Sequence, residues 1–182
     1  VFAMIEIERY EELVPIPEER VGYLKKNLKP ISRRLKLALE IDSDCVLHAQ
    51  GESIDIYFGK KVLVALAFGF GMREAFGLLS DNKQLIVADI GELVPRQSIE
   101  RVLGRIIGEE GKTKALIQKI THCKLDVVGQ KVGIICTYEM REPLAKAISM
   151  LVNGAKQGHV YTYLERCSRE QKIDQMLHPY IK

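Results

Sequence analysis

The sequence pairs none of its cysteines. Cys45, Cys123, Cys136 and Cys167 stand far apart, and no Cys-x-x-Cys occurs. That spacing offers neither a disulfide framework nor a redox motif. No secretory leader is read, so reduced thiols and a cytoplasmic location are the expectation. Long apolar runs are also missing. The longest, Val62 to Met72, is broken by Gly69 and Gly71 and stops at Arg73, which is too short for a membrane span. Its apolar positions recur at Leu63, Leu66, Phe70 and on to Leu78, which predicts a buried helix over Lys61–Leu79. Strong charge of one sign is absent too, because the net charge is only +3. A catalytic constellation is lacking. His48, His122, His159 and His178 are scattered, none with zinc spacing to a cysteine. His122 and Cys123 are adjacent, which on a strand would point them apart. Asp42 and Asp44 could be metal ligands, but they fall in a turn, where aspartate serves hydrogen bonding, and no other acid cluster is near. No enzyme, no cofactor and no metal are expected.

What is present is a globular composition. Of the 182 residues, 47% are hydrophobic and 28% charged, enough chain for one medium domain or two small ones. The charge is unevenly spread. Residues 1–91 carry 12 basic and 14 acidic side chains, and residues 92–182 carry 15 and 10. The second half is the better candidate to meet phosphates.

The most informative stretch lies there: Gly104-Arg105-Ile106-Ile107-Gly108-Glu109-Glu110-Gly111-Lys112-Thr113-Lys114. Two glycines three apart allow a tight turn and leave no side chain in the way of a ligand. A helix opening from such a turn presents free amides to a phosphate. Ile106 and Ile107 precede the turn, while Leu116, Ile117 and Ile120 follow at helical spacing. Gly111-Lys112-Thr113 is reminiscent of a nucleotide-triphosphate loop. That motif requires glycine five positions before Gly111, where Ile106 stands, so a phosphate-binding loop of that kind is excluded.

The chain also reads as doubled. Matching Gly22 to Gly104 sets an offset of 82, which places Leu35 on Ile117 and Ala38 on Ile120. Each half reads as strand, helix, helix, strand, strand, helix. The leading strands are Ala3–Glu8 and Leu85–Asp89. The strand pairs are Cys45–Ala49 with Ser53–Phe58, and Lys124–Val128 with Val132–Cys136. The closing helices are Lys61–Leu79 and Glu139–Val152, with a break near Ser80-Asp81-Asn82-Lys83. On this alignment Lys26-Asn27-Leu28-Lys29 replaces the glycine turn in the first copy. That copy instead carries Arg20, Lys25, Lys26, Lys29, Arg33, Arg34 and Lys36 with no acid among them. They read either as a solvated helix face or as a non-specific phosphate patch.

A Gly-x-x-Gly turn between helices followed by a strand pair resembles a KH module. The fold expectation is therefore α+β, with two tandem type I KH domains (β-α-α-β-β-α each). The first, over residues 1–80, is degenerate. The second, over residues 81–182, keeps the glycine turn and adds a C-terminal helical extension. The segments Gly104-Arg105-Ile106, Gly108 to Lys114, Ile117, Ile120-Thr121 and the tail Gly154 to Glu165 resemble one family more closely. This is the two-KH ribosome-assembly factor of archaea and eukaryotes, the partner of the Nob endonuclease. The resemblance implies binding to the 3′ region of small-subunit (16S) rRNA during maturation, cooperation with a Nob-type endonuclease, and contact with other pre-ribosome or initiation factors.

The expected site follows from the module. A single RNA strand runs past Gly108 and Gly111, with bases over Ile106, Ile107, Ile117 and Leu125. Ordinary core is the competing reading for these side chains, and is expected to hold for at least two. Arg105, Lys112 and Lys114 add phosphate contacts around Thr113. Glu109 and Glu110 depart from the basic or small pair usual in such turns, and each acid costs roughly 0.5–1 kcal/mol near a phosphate. Accessory contacts are expected from Lys25, Lys26, Lys29, Arg33, Arg34, Lys156, Tyr161 and Arg166. Tail tyrosines can stack a base or pin the extension, and Arg166, Arg169 and Lys172 are read as continuing into a short exposed helix. The alternative function is a protein-interaction scaffold with secondary RNA contact.

Overall fold

In the computed structural model, which describes residues 10–177, the boundary between two units falls at Asp81 and Asn82. The first unit runs β1 (Tyr10–Pro15), α1 (Glu18–Leu35), β2 (Ala38–Ile41), β3 (Val46–Gly51), α2 (Ser53–Phe68) and the short α3 (Met72–Phe76). Its antiparallel sheet has the order β1-β3-β2. Alternation sets the faces: Leu47 and Ala49 point into the core, while His48 lies between Leu13 and Glu40 on the other face. The leading strand expected at Ala3–Glu8 lies outside the described residues.

Two expectations for this unit are corrected. The first copy has one helix where two were predicted. Without glycines at its middle, α1 runs unbroken for 18 residues, with Pro30 inside it. An interior proline costs about 3 kcal/mol. Buried Leu24, Ile31 and Leu35 hold the helix on the core at about 1.5–3 kcal/mol each, which exceeds that cost. The predicted hairpin of Cys45–Ala49 with Ser53–Phe58 does not form. Ser53–Phe58 alternates like a strand, yet it is the start of α2, because Ile56, Gly59, Val62, Leu63 and Leu66 make one buried helical stripe. The partner of β3 is instead Ala38–Ile41, although the offset of 82 aligns Ala38 with the helical Ile120. Lys36, left-handed at φ 56°, ends α1 just before it.

The second unit follows the predicted order. It contains β4 (Lys83–Asp89), α4 (Ile90–Leu93), α5 (Ile99–Ile107), α6 (Lys112–Thr121), β5 (Lys124–Val128), β6 (Lys131–Thr137), α7 (Arg141–Val152) and α8 (Gln157–Leu177). Its sheet order is β4-β6-β5. The two-residue turn Gly129-Gln130 joins β5 to β6, with Gly129 at φ 57° as such hairpins require. His122 is the left-handed cap of α6, not a strand residue, and Cys123 beside it is buried. The tail forms a 21-residue helix, longer than expected, anchored by buried Val160 and Leu164.

The two units correspond, but not at the predicted offset. In the first, Arg20 donates to the carbonyls of Leu66 and Phe70. In the second, Arg105 donates to those of Leu151 and Ala155. Adding 85 to 20, 66 and 70 gives 105, 151 and 155. The helix-ending residues Lys36 and His122, both left-handed, are 86 apart. The glycine turn therefore adds one residue to a helix that is otherwise continuous, and it matches the middle of α1 near Tyr23 to Lys26 rather than Lys26 to Lys29.

Candidate nucleic-acid interface

Helix α5 is amphipathic. Ile99, Val102 and Ile106 face the core, and Arg101 and Gly104 face outward. The helix stops at Gly108, whose φ of 78° and ψ of 168° suit glycine alone. Glu110 (φ 51°) and Gly111 (φ 78°) are also left-handed, so the chain reverses within four residues and re-enters a helix at Lys112. The glycines do different work. A Cβ at Gly108 would lie 2.2 Å from Thr113 Oγ1 and 2.6 Å from the Thr113 amide nitrogen. A Cβ at Gly111 would meet nothing within 4 Å. Gly108 is thus needed for close packing, and Gly111 leaves the outer side of the turn open. The Gly111 amide donates to Gly108 O and the Lys112 amide to Glu109 O, so these two of the expected free amides are engaged within the turn. No side chain caps α6.

The turn is braced from behind by α8. Thr113 is 2% exposed, and its Oγ1 accepts from Gln157 Nε2 at 2.8 Å and from the Tyr161 hydroxyl at 3.0 Å. Gln157 also donates to Arg105 O at 3.2 Å. Tyr161, for which the sequence offers both stacking on a base and pinning the extension, is thereby directed at the protein. Arg105 is corrected likewise. Its guanidinium is held by the carbonyls of Leu151 and Ala155 at the end of α7, so it positions the helix that leads into the turn.

The expected base platform is mostly core. Ile106 and Ile117 are 0% exposed and Leu125 is 2% exposed, which withdraws them from any surface contact. Ile107 is half-buried. The structure gathers other residues instead. Arg101, Gly104, Gly108, Glu109, Gly154 and Lys156 line one open cleft beside the turn. Arg101 was missed by the sequence reading, although Arg101, Gly104 and Gly108 recur at i, i+3 and i+7, the spacing of one helix face. Lys156 was expected and is exposed in the cleft. Lys112 is exposed, 3.2 Å from the Glu110 carboxylate. Lys114 is tied to Asp126 at 2.7 Å. Arg166 is exposed on α8, 3.9 Å from Glu170. The cations Lys25, Lys26, Lys29, Arg33 and Arg34 are exposed on α1 of the first unit.

Other chemistry is sparse. Among the described residues no group of three histidine, cysteine, aspartate or glutamate side chains could hold a metal. No helix of the described residues is long and apolar enough to cross a membrane. Burial pushes the Cys123 thiol above its ordinary range and the Cys136 thiol up to about 12, so neither is poised as a nucleophile.

Residues 84–169 match the model of the second KH domain of PNO1 proteins, a eukaryotic-type (type I) KH domain. A KH domain-containing protein of Methanocaldococcus jannaschii is 33% identical, over 95% of this chain and 80% of the relative. The pre-rRNA-processing protein PNO1 of Chaetomium thermophilum is 27% identical, over 87% of this chain and 66% of its own length. Among solved structures, the complex of a/eIF2α, Dim2p and rRNA from Pyrococcus horikoshii matches with a TM-score of 0.82 at 28% identity, covering 91% of this chain and 97% of that one. A protein of unknown function from Aeropyrum pernix matches with a TM-score of 0.86 at 28% identity, covering 95% and 98%.

Proposed function

We propose, for a chain that belongs to the KH-domain family of the archaeal Dim2p and eukaryotic PNO1 proteins, that the second unit clamps single-stranded RNA during maturation of the small ribosomal subunit. The observation that carries this reading is the open left-handed turn Gly108–Gly111, with unoccupied space outside Gly111 and a cleft beside Gly108 flanked by Arg101 and Lys156. A sugar-phosphate backbone fits such a turn, because no side chain keeps it away. Lys112 and Lys114 exchange their present carboxylate partners for phosphates, and Ile107 offers the apolar contact that the buried isoleucines do not.

The strand held is the 3′ region of small-subunit rRNA. The rRNA in the Pyrococcus complex and the pre-rRNA processing named for the fungal relative support ribosomal RNA as the ligand, and the choice of its 3′ region follows the family resemblance of Gly108 to Lys114. The protein acts without catalysis, in the cytoplasm, by shielding or presenting that strand to a Nob-type endonuclease. The division of labour falls between residues 1–80 and 81–182, with the glycine turn only in the latter. A second reading, a protein-docking scaffold, is favoured by the a/eIF2α in the same complex.

Gly111→Asp tests the clamp. The site is open, so the side chain fits without a clash, while its charge lies where a phosphate would sit. Fluorescence anisotropy with a labelled RNA copy of the rRNA 3′ end should give binding at least tenfold weaker. Equal binding by a folded variant removes the clamp.

A further inference from the structure

The edge of the second sheet leaves open a space that the first unit bridges. Among the described residues β4 pairs with β6 alone. The Tyr138 amide donates to Asn82 O and the Ile90 amide to Gln130 O. Bonded pairs alternate along an antiparallel ladder, so the amides and carbonyls of Leu85 and Val87 point to the free side. No proline or acid interrupts this edge before Asp89, whereas the edge strand β1 carries Glu11, Glu12 and Pro15. Beside the edge a pocket of about 390 Å³ opens between Ile86 and Ala88 of β4, Leu93 of α4, and Ala145, Ile148 and Val152 of α7. The internal repeat supplies a comparison. Ala49 and Ile134, which are 85 apart, pair with Glu12 and Ile86. The same step of 85 carries Lys60 to Ala145. In the first unit Lys60 bridges to Glu12 at 2.7 Å. In the second, Ala145 and Ile86 stand in those places, and both line the pocket.

We propose that the β4 edge binds an extended segment of a partner protein, antiparallel to β4, with one large apolar side chain in the pocket and an acidic side chain toward Lys83 and Arg141. The site does not use the glycine turn. Leu85 and Val87 supply main-chain hydrogen bonds, and the pocket selects the side chain. A free sheet edge calls for amides and carbonyls in register, which a peptide has and an RNA strand lacks. Every pair in this sheet is antiparallel, and the added strand continues that pattern. The charge lies at one end. Lys83 pairs with Thr137, and α7 begins four residues later at Arg141. Both cations are exposed and in no ion pair among the described residues, while Glu139 between them offsets part of their charge. Glu142 turns the other way, where its charge acts on Tyr163 of α8. An acid about four residues after the apolar anchor reaches the two cations. Gln84 shares the pocket side of β4 with Ile86, and its Nε2 is buried without an acceptor among the described residues. An acid brought to this end supplies one.

The test pans a phage-displayed library of random dodecapeptides on the full chain. The enriched peptides should share an apolar residue followed about four positions later by aspartate or glutamate. A synthetic consensus peptide should slow hydrogen exchange at the Leu85 and Val87 amides. The variant Ile86→Glu with Ala145→Lys recreates the pair that bridges the first unit, and should bind that peptide roughly tenfold more weakly or worse. If Ile86→Glu unfolds the unit, Ala145→Lys alone, at an exposed position, should still weaken binding about fivefold. Arg141→Glu, also exposed, should weaken it about threefold and remove the preference for an acid. A library that yields no consensus overturns the proposal, as does a consensus peptide that binds every variant as well as the parent. Protection of β4 by self-association, or by single-stranded RNA, in place of a peptide overturns it too. The RNA copy of the rRNA 3′ end should bind parent and variants within about twofold, so loss of RNA binding by the parent counts against the glycine turn and not against this site.

Discussion

Replacing Gly108 with alanine should damage the protein far more than replacing Gly111. Both glycines have a φ of 78°, and a rule based on φ alone treats them alike. The structure separates them. At Gly108 the backbone lies in a region open only to glycine, which costs a side chain about 1–3 kcal/mol. The new Cβ would also fall 2.2 Å from Thr113 Oγ1, 2.6 Å from the Thr113 nitrogen and 2.7 Å from Thr113 Cβ. Two of these atoms are not the tip of a flexible chain, so the first turn of α6 has to move. Such overpacking adds about 1–3 kcal/mol. The movement strains the hydrogen bonds that Gln157 and Tyr161 make to Thr113. Together these give a loss of about 4 kcal/mol. Gly111 has open space and an ordinary left-handed conformation, so its alanine costs about 1–2 kcal/mol. The gap is about 2–3 kcal/mol. At roughly 4 °C or more per kcal/mol it separates the two melting temperatures by about 10 °C. Hydrogen exchange of the α6 amides in the full chain reports the second unit alone. If both variants lose protection equally, the steric reasoning at Thr113 is wrong.

Three further outcomes are expected. Tyr161→Phe removes one hydrogen bond to the buried Thr113 hydroxyl and should destabilise α6 by about 1 kcal/mol, read by the same exchange measurement; unchanged protection would show that α8 does not brace the turn. Iodoacetamide on the folded protein should modify half-buried Cys45 and Cys167 and spare Cys123 and Cys136, whose thiols burial keeps protonated; mass spectrometry of peptides decides, and early labelling of Cys136 would contradict the burial. His48 sits 3.0 Å from both Glu11 and Asp42, and its hydrogen bonds to Glu11 and then Asp42 raise its pKa. The same contact lowers Glu11, and the Val46 amide followed by His48 lowers Asp42. The stability from His48 is full below its ordinary 6.5 and fades as pH rises through its raised value. That from the carboxylates is full above their ordinary range and is lost as pH falls through their lowered values. His48→Gln should therefore lower the melting temperature most near pH 5–6. A deficit that does not shrink at alkaline pH would count against the ion cluster.

Much of the second unit was legible because its signals are local. The short apolar-rich segments Lys124–Val128 and Val132–Cys136, with Gly129 between, suffice to specify a hairpin. Ile99, Val102 and Ile106 repeat at helical spacing, and the glycines mark where that spacing must break. The first unit misled for a physical reason. Ser53–Phe58 fits both a strand and a helix over six residues, and only packing of Gly59 on Leu37 and the continuing stripe to Leu66 decide. The slip in the repeat offset arose because Gly22 looks like Gly104 in sequence, whereas the structural match is carried by Arg20 and Arg105.

By itself, the sequence determined where the chain can bend. Glycine at 108 and 111 permits the positive φ found there, since a missing Cβ acts within one residue. Only the tertiary structure decided which side chains near that bend are available to a ligand. Arg105 is spent on carbonyls 46 and 50 residues away, and Tyr161 on Thr113 48 residues away. Ile106, Ile117 and Leu125 disappear into the core, while Arg101 and Lys156 come to share one cleft. Burial and partnership depend on groups brought together from distant parts of the chain, and short-range spacing carries no record of them.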